Sequence, residues 1–279
     1  MTSDCRSRRV VLLCHERDTV DSEGLAGWLA SAFDLVGLIL IRDTFSRRWR
    51  ATRYEWRRSG AIGLCDVLAC RTYHALVHGP GDRAWIAREV HRLRERYAAP
   101  IRDVPRLNTT DPNAEPVRRF LMCLQPDLMV ARCKVILKPD VFSIPRIGTF
   151  VLHPGICPEY RNSHGCFWAL VRRDLDRVGM TLLQVDRGVD TGPVFLQAGY
   201  AFDESRESHT VIQYRVVTEN LDAIADTLMA VCRGTAVPLS TSGRVSAVWG
   251  QPRLSAYLRW KRDASASRVG YVPRPSSDV

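Results

Sequence analysis

The chain has 279 residues, of which 46% are hydrophobic and 25% charged, so it can bury the core of one large domain, with or without an appendage. No run reaches the ~18 consecutive apolar residues that span a bilayer, and the nine cysteines form no CxxC pair, which argues against a disulfide framework and a zinc ribbon. The formal charge of +10 favours an anionic partner: a phosphorylated or nucleotide-linked substrate, a polyglutamate tail, or nucleic acid.

The first forty residues predict a strand, a helix and a second strand. Residues 9–14 (RVVLLC) are a short apolar run, residues 21–33 repeat apolar side chains near the helical period, and residues 34–43 (DLVGLILIRD) are again apolar between charges. Strands that are apolar on both faces indicate a parallel sheet. Residues 10–14 are too short for the core of a signal peptide, and charges follow at once, so we expect a cytoplasmic protein.

Residues 44–100 interrupt this rhythm. The first part is basic with interleaved aromatic residues (SRRWRATRYEWRR). An apolar segment that resembles a helix follows (GAIGLCDVLACRTYHALVH), and then an amphipathic helical segment (DRAWIAREVHRLRERY). Basic and aromatic residues together suit nucleic acid or a membrane surface. The favoured interpretation is a helical insertion whose arginine stems cover the edge of the core.

The parallel pattern then resumes. In chain order we predict a short strand and loop at 101–108, a helix from Pro116, a strand running into a loop at 125–137, a strand ending at His153, a helix at 164–174, and two strands around a turn at 178–197. A long helix at 208–233 and a polar tail at 234–279, with one apolar segment at 245–249, complete the chain. We therefore expect an α/β fold with an open, mostly parallel twisted sheet flanked by helices.

Two loops carry candidate chemistry: HPG at 153–155, directly after a strand, and GVDTGPV at 188–194. Ligands of open parallel sheets bind outside the carboxyl ends of the strands, where His153 is predicted to lie. If the turn with Asp190 folds to the same edge, the two form a general acid–base pair. Three motifs are absent from the sequence: the dinucleotide-binding GxGxxG after the first strand, the phosphate-binding P-loop, and the GxSxG elbow of a serine nucleophile. The spacings of His and Cys predict no metal site.

The segments VLHP, ICPEYRN, FWAL, GMTLL and DTGPV, between residues 151 and 194, resemble the folate-dependent formyltransferases, the family of glycinamide-ribonucleotide, methionyl-tRNA and amino-sugar formyltransferases. The resemblance covers residues 120–200 and implies the family's Rossmann-like fold. It also implies an enzyme in which an acceptor amine attacks the formyl carbon of 10-formyltetrahydrofolate. His153 would donate to the oxyanion and shuttle a proton, and Asp190 would orient it.

The resemblance also implies where the pterin of the cofactor lies, which is against the loop at 133–137 and the turn at 186–190. The implied cofactor-binding residues are Cys133, Lys134, Val135, Ile136, Leu137, Asp186 and Gly188.

The chain departs from the family at Val151, where an asparagine two residues before the histidine normally binds the formyl oxygen. Loss of one oxyanion donor typically costs on the order of 10²–10³ in rate. Three interpretations stay open: Asn162 or His164 supplies the missing donor, a related one-carbon or carbamoyl group is transferred, or the site is inactive. We favour the first. Asn162 also replaces the family's usual glycine, so the loop is expected to bend differently.

The expected organisation is a catalytic domain at 1–205, with its helical insertion at 44–100, and a C-terminal helix and tail at 206–279. Too few residues remain there for the C-terminal barrel of tRNA-specific relatives. The expected acceptor is therefore a small amine: an amino sugar, an amino acid or a natural-product intermediate. The positive net charge of the chain favours an anionic acceptor. Nucleic acid is a less favoured partner, and a homodimer stays open. The alternative function is an inactive binding protein that holds nucleic acid or a partner on its insertion.

Overall fold

In the computed structural model, which describes residues 8–267, nine strands make one large and one small sheet. The strands are β1 Arg9–His15, β2 Asp34–Ile41, β3 Arg106–Thr109, β4 Leu128–Arg132, β5 Gly148–His153, β6 Arg161–Asn162, β7 Gly179–Gln184, β8 Val194–Gly199 and β9 Val248–Trp249. The large sheet has the order β3-β2-β1-β4-β5-β7-β8, and the small sheet pairs β6 with β9.

Nine α-helices flank the sheet within the described residues: α1 Ala26–Ala32, α2 Phe45–Val77, α3 Gly79–Arg96, α4 Glu115–Leu124, α5 Pro139–Phe142, α6 Gly165–Val171, α7 His209–Thr218, α8 Leu221–Cys232 and α9 Leu254–Ser267. A π-helical turn, Val20–Leu25, leads into α1, and a 3₁₀ turn, Leu175–Arg177, follows α6. Within residues 8–267 no helix is long and apolar enough to cross a membrane.

The large sheet is parallel from β3 to β5 and antiparallel at β7 and β8, so the predicted fold class is confirmed. Successive residues of a strand point to opposite faces. Leu12 accordingly packs in the larger core with the helices after β5, and Leu13 packs in a second core against α4. Strand order reverses between β1 and β4, which creates a crevice at their carboxyl ends.

The predicted helical insertion is present, but it differs in detail from the expectation. Thr44 caps α2 by accepting the Arg47 N–H at 3.3 Å, and Gly60 breaks the helix with a φ of 71°. The second half of α2 contributes Cys70 to the core. In the first half the aromatic side chains stay in solvent: Trp49, Tyr54 and Trp56 are 60%, 63% and 58% exposed. These aromatic side chains therefore do not cover the edge of the core.

Two expectations for the C-terminal part are wrong. The single helix expected at 208–233 is two helices, because the Asn220 side chain donates to the Val216 carbonyl at 2.9 Å and ends α7. The polar tail contains β9 and α9, and α9 buries Trp260 completely. The indole N–H of Trp260 donates to Glu204 at 2.8 Å, which satisfies its polar atom inside the core.

The domain division expected at residue 205 stays a prediction. Core contacts cross it, since Leu12 and Trp260 belong to the same cluster. The described residues 206–267 form α7, α8, β9 and α9 and contain no barrel. Residues 268–279 of the expected tail lie outside the described residues.

Replacing Trp260 with Ala should lower the free energy of unfolding by about 3–5 kcal/mol, because the change leaves a large cavity and removes one of the two donors to Glu204 Oε2, the other being Arg173. Urea unfolding followed by circular dichroism measures the change. Trp56→Ala is the matched control, since this exposed indole should cost under about 0.5 kcal/mol. Equal losses for the two variants would contradict the place of α9 in the core.

Candidate active site

A cavity of about 350 Å³ opens at the crevice between β1 and β4 and extends past β5. Every residue predicted for the site lines it: His153, Asp190, Asn162, His164, Cys133, Lys134, Val135, Ile136, Leu137, Asp186 and Gly188. The structure thus brings together segments that are more than fifty residues apart in sequence.

His153 is the last residue of β5 and is 4% exposed. Its Nε2 lies 2.8 Å from the Tyr160 carbonyl oxygen, and a carbonyl only accepts, so Nε2 carries a proton. Its Nδ1 lies 3.6 Å from Oδ2 of Asp190. The ring is therefore anchored at one nitrogen, and the other shares the cavity with a carboxylate.

The turn with Asp190 reaches the edge of the sheet where His153 lies, but by an indirect route. The turn after β7 starts at the opposite end of β5, where the Val185 N–H donates to the Thr149 carbonyl at 2.7 Å. It then folds back towards His153. Asp190 has a left-handed φ of 51° and accepts the Asn162 main-chain N–H at 2.7 Å, which sets the position of its carboxylate.

Asp186 and Gly188 shape this turn. The Asp186 carboxylate accepts the Gly188 N–H at 2.9 Å and the Thr191 hydroxyl at 2.8 Å. A side chain at Gly188 would collide with Thr191. Although Asp186 lines the cavity, its carboxylate is engaged within the turn.

The loop after β4 forms the opposite wall. Asn113 holds this loop, because its side-chain amide donates to the Ile136 carbonyl at 3.0 Å and its oxygen accepts the Lys138 N–H at 2.7 Å. The Cys133 thiol donates to the Val135 carbonyl at 3.4 Å, and burial raises the pKa of this thiol to about 11. Cys133 is therefore a packing residue rather than a nucleophile.

The wall at Val151 is apolar. Val151 pairs with Leu183 of β7 and packs against Cys157. The position of the family's asparagine thus offers the cavity no hydrogen-bond donor.

The two substitute donors differ in their contacts. The Asn162 side-chain amide donates to the Trp249 carbonyl at 2.6 Å and so holds β9. His164 has a left-handed φ of 55°, and its buried Nδ1 has no hydrogen-bond partner within residues 8–267. Burial, aided by the charges of Lys134 and Arg71, lowers the pKa of His164 to about 3, so its imidazole is neutral at pH 7 and can donate from one nitrogen.

The sequence interpretation missed the side of the cavity formed by the loop after β1 and by α7. Asp18, Asp21, Gln213 and Tyr214 line it, together with Arg132. The two aspartates follow the first strand at its carboxyl end, and the same position rule that selected His153 could have found them. The periodicity of α7 contains no signal for Gln213 and Tyr214.

A histidine cluster lies behind His164. The His209 ring is 4.5 Å from that of His74 and 6.3 Å from that of His164, and His78 Nε2 is 2.5 Å from the Tyr257 hydroxyl. Burial is the main cause that lowers the pKa values of His74, His78 and His209. The pKa values of these rings in the folded protein therefore lie below the ordinary value of 6.5.

Comparisons with known proteins indicate one family. The family model described as formyl transferase matches residues 90–228. A methionyl-tRNA formyltransferase of Chlorobium phaeovibrioides is 30% identical over 177 residues, 63% of this chain and 53% of that protein. One of Roseiflexus sp. is 29% identical over 157 residues, 56% of this chain and 46% of that protein. The chain spans about half the length of the curated relatives it matches.

Solved structures share the fold at low identity. Glycinamide ribonucleotide transformylase 1 from Symbiobacterium toebii has a TM-score of 0.52 and 14% identity over 88% of this chain and 95% of that chain. A sugar N-formyltransferase from Shewanella sp. has a TM-score of 0.52 and 13% identity over 91% of this chain and 87% of that chain. These likenesses concern the fold alone, and the implied Rossmann-like fold is confirmed.

The histidine cluster predicts lower stability in acid. Folded-state pKa values lie below the ordinary 6.5, so the unfolded chain binds more protons and the free energy of unfolding falls as pH drops below about 6.5. Each such histidine contributes a slope of up to about 1.4 kcal/mol per pH unit. His209→Gln should flatten the dependence between pH 6.5 and 4.5 in urea titrations, whereas exposed His91→Gln should not. A wild-type slope in His209→Gln would contradict this account.

Proposed function

Since the chain belongs to the formyl transferase family, we propose that it transfers a formyl group from 10-formyltetrahydrofolate to the amine of a small-molecule acceptor, in the cytoplasm. The observation that carries the proposal is the pairing of His153 with Asp190 at 3.6 Å in a cavity beyond the carboxyl ends of parallel strands. The roles of the individual residues are part of the proposal, and a homodimer stays a prediction.

The cavity suits a folate. Val151, Leu183 and Val185 make an apolar wall on which a flat ring can pack, and Leu137 lies in the facing loop. The exposed Lys134 lies on that loop and can pair with a carboxylate of the cofactor's glutamate. When bound, 10-formyltetrahydrofolate supplies the formyl carbon that the acceptor amine attacks.

The residues of the chain act on the charge and the proton of this reaction. A proton on Nδ1 of His153 faces the cavity and can donate to the formyl oxygen, where negative charge develops. Because Nε2 keeps its own proton, the ring with a proton on Nδ1 is an imidazolium, which the nearby Asp190 carboxylate stabilises and keeps in orientation until that proton is donated. The Tyr160 carbonyl holds Nε2 throughout, so only Nδ1 exchanges protons with the cavity.

His164 is the proposed substitute for the missing asparagine. Its ring lines the same cavity and its buried Nδ1 has no hydrogen-bond partner within residues 8–267, whereas the Asn162 amide is already bonded to Trp249. A neutral imidazole donor costs little reorganisation when charge develops, because the surrounding protein already holds it in place.

A second candidate function rests on the first half of α2. Its exposed aromatic residues, Trp49, Tyr54 and Trp56, alternate with arginines, a combination that stacks on bases and neutralises phosphates in single-stranded RNA. A binding protein of this kind would bind RNA in a salt-sensitive way with no effect of folate.

Saturating 5- or 10-formyltetrahydrofolate should stabilise the protein, since a ligand at a hundred times its Kd adds about 2.7 kcal/mol to the free energy of unfolding. Differential scanning calorimetry measures the shift. His153→Ala should abolish release of tetrahydrofolate but keep the shift, and His91→Ala should change neither. No shift with the wild-type protein would count against the enzyme and favour the RNA-binding alternative.

His164→Ala should lower kcat by about 10²–10³-fold, with little change in the Kd for cofactor, because it removes one donor to the developing oxyanion. Adding Val151→Asn to that variant restores the family's donor and should recover part of the rate. A wild-type kcat for His164→Ala would contradict the role of His164. Transfer that appears only with Val151→Asn would show that the natural site is inactive.

A further inference from the structure

The end of the cavity at the loop after β1 is acidic. Four carboxylates line the whole cavity, from Asp18, Asp21, Asp186 and Asp190, against two fixed cations, Arg132 and Lys134. The lining therefore has two more carboxyl groups than fixed cations. The proposed cofactor contacts residues 133–137 and 186–190. Asp18 and Asp21 lie on the other side of the cavity, which is therefore available to the acceptor.

Asp21 and Arg132 neutralise each other. Arg132 Nε donates to Asp21 Oδ1 at 3.1 Å, and both side chains are nearly buried. Arg132 also donates to the Leu152 carbonyl at 2.7 Å, so its guanidinium is held between β1 and β5. This pair leaves Arg132 with little capacity to bind an anionic substrate.

Asp18 accepts hydrogen bonds from neutral donors. Its Oδ2 accepts the Tyr214 hydroxyl at 2.7 Å, and its Oδ1 accepts the Asp21 N–H at 3.3 Å. Among the ion pairs of residues 8–267, none includes Asp18. A half-buried carboxylate with two neutral donors retains lone pairs for a cation.

The same place is unsuited to phosphate. In α/β proteins phosphate commonly binds at the start of the helix after a strand, where main-chain N–H groups are free. Here Asp18 occupies one of these N–H groups, and Asp21 and Glu23 add negative charge to the first turn. A phosphate would meet like charges there.

We infer that the acceptor is a phosphate-free amine with a second cationic group, such as a short diamine or a basic amino acid, and that Asp18 binds the second cation while the reacting amine lies at His153. The inference rests on the proposed function. β1 and β5 are separated only by β4, so their ends lie about 10 Å apart. A short aliphatic chain matches this separation.

The test compares how well different amines are formylated, and how that preference changes when the charge of Asp18 is removed. With 10-formyltetrahydrofolate present, 1,4-diaminobutane, ornithine and lysine should be formylated in preference to glucosamine 6-phosphate, as measured by tetrahydrofolate release. Asp18→Asn removes the charge and keeps one of the two acceptor oxygens, since an amide has a single oxygen. It should raise the KM for the preferred diamine about ten- to hundredfold and raise the KM for a monoamine of equal length by a clearly smaller factor. Asp226→Asn, on the exposed side of α8, is the matched control.

Direct binding makes the result independent of turnover. Calorimetric titration of 1,4-diaminobutane into the cofactor-loaded protein should give a Kd that Asp18→Asn raises by a similar factor. No diamine binding, an unchanged Kd in Asp18→Asn, or preference for the phosphorylated amine would overturn the inference. If the inference fails but 10-formyltetrahydrofolate still stabilises the protein, the proposed function stands. If 10-formyltetrahydrofolate does not stabilise the protein, the proposed function itself fails.

Discussion

The hydrogen bond from the Asn162 N–H to Asp190, at 2.7 Å, joins the parts of the site. Asn162 also holds Trp249 through its side chain, and its neighbour two residues on, His164, lines the cavity. The left-handed backbone at Asn162, His164 and Asp190 is the local cost of turning three segments towards one point. Because the Asp190 carboxylate is held by a main-chain group, its position beside His153 depends on the whole loop after β5.

Charge in this protein is separated in space. The excess of basic residues is prominent on the first half of α2, whose aromatic side chains are in solvent, whereas the cavity has more carboxylates than fixed cations. Net charge governs long-range attraction but not the local field of a pocket. Asp21 illustrates the local effect, since burial raises its pKa to about 7 even though Arg132 and Lys134 lower it. The composition therefore says little about the acceptor.

Local patterns predicted those elements whose environment is uniform. β1 and β2 are apolar on both faces because helices cover the sheet on both sides, and this pattern is visible in the residues themselves. α9 escaped prediction because its buried side chains, Tyr257, Trp260 and Ala264, stand among serines and arginines. Helical periodicity was present there, but polar neighbours obscured it. The break between α7 and α8 likewise depends on one side chain, Asn220, returning to the Val216 carbonyl.

By itself, the sequence determined the fold class, the strand-end histidine and the aspartate turn, because short motifs and apolar runs report local backbone and burial. It did not determine how Asp190 reaches His153, which residues face the acceptor, or that Trp249 supports the site. These depend on which loops meet across the sheet, through contacts between residues up to 196 positions apart, such as Asp18 and Tyr214. Only the tertiary structure decides such contacts, since their free energy comes from packing and hydrogen bonds that no local pattern records.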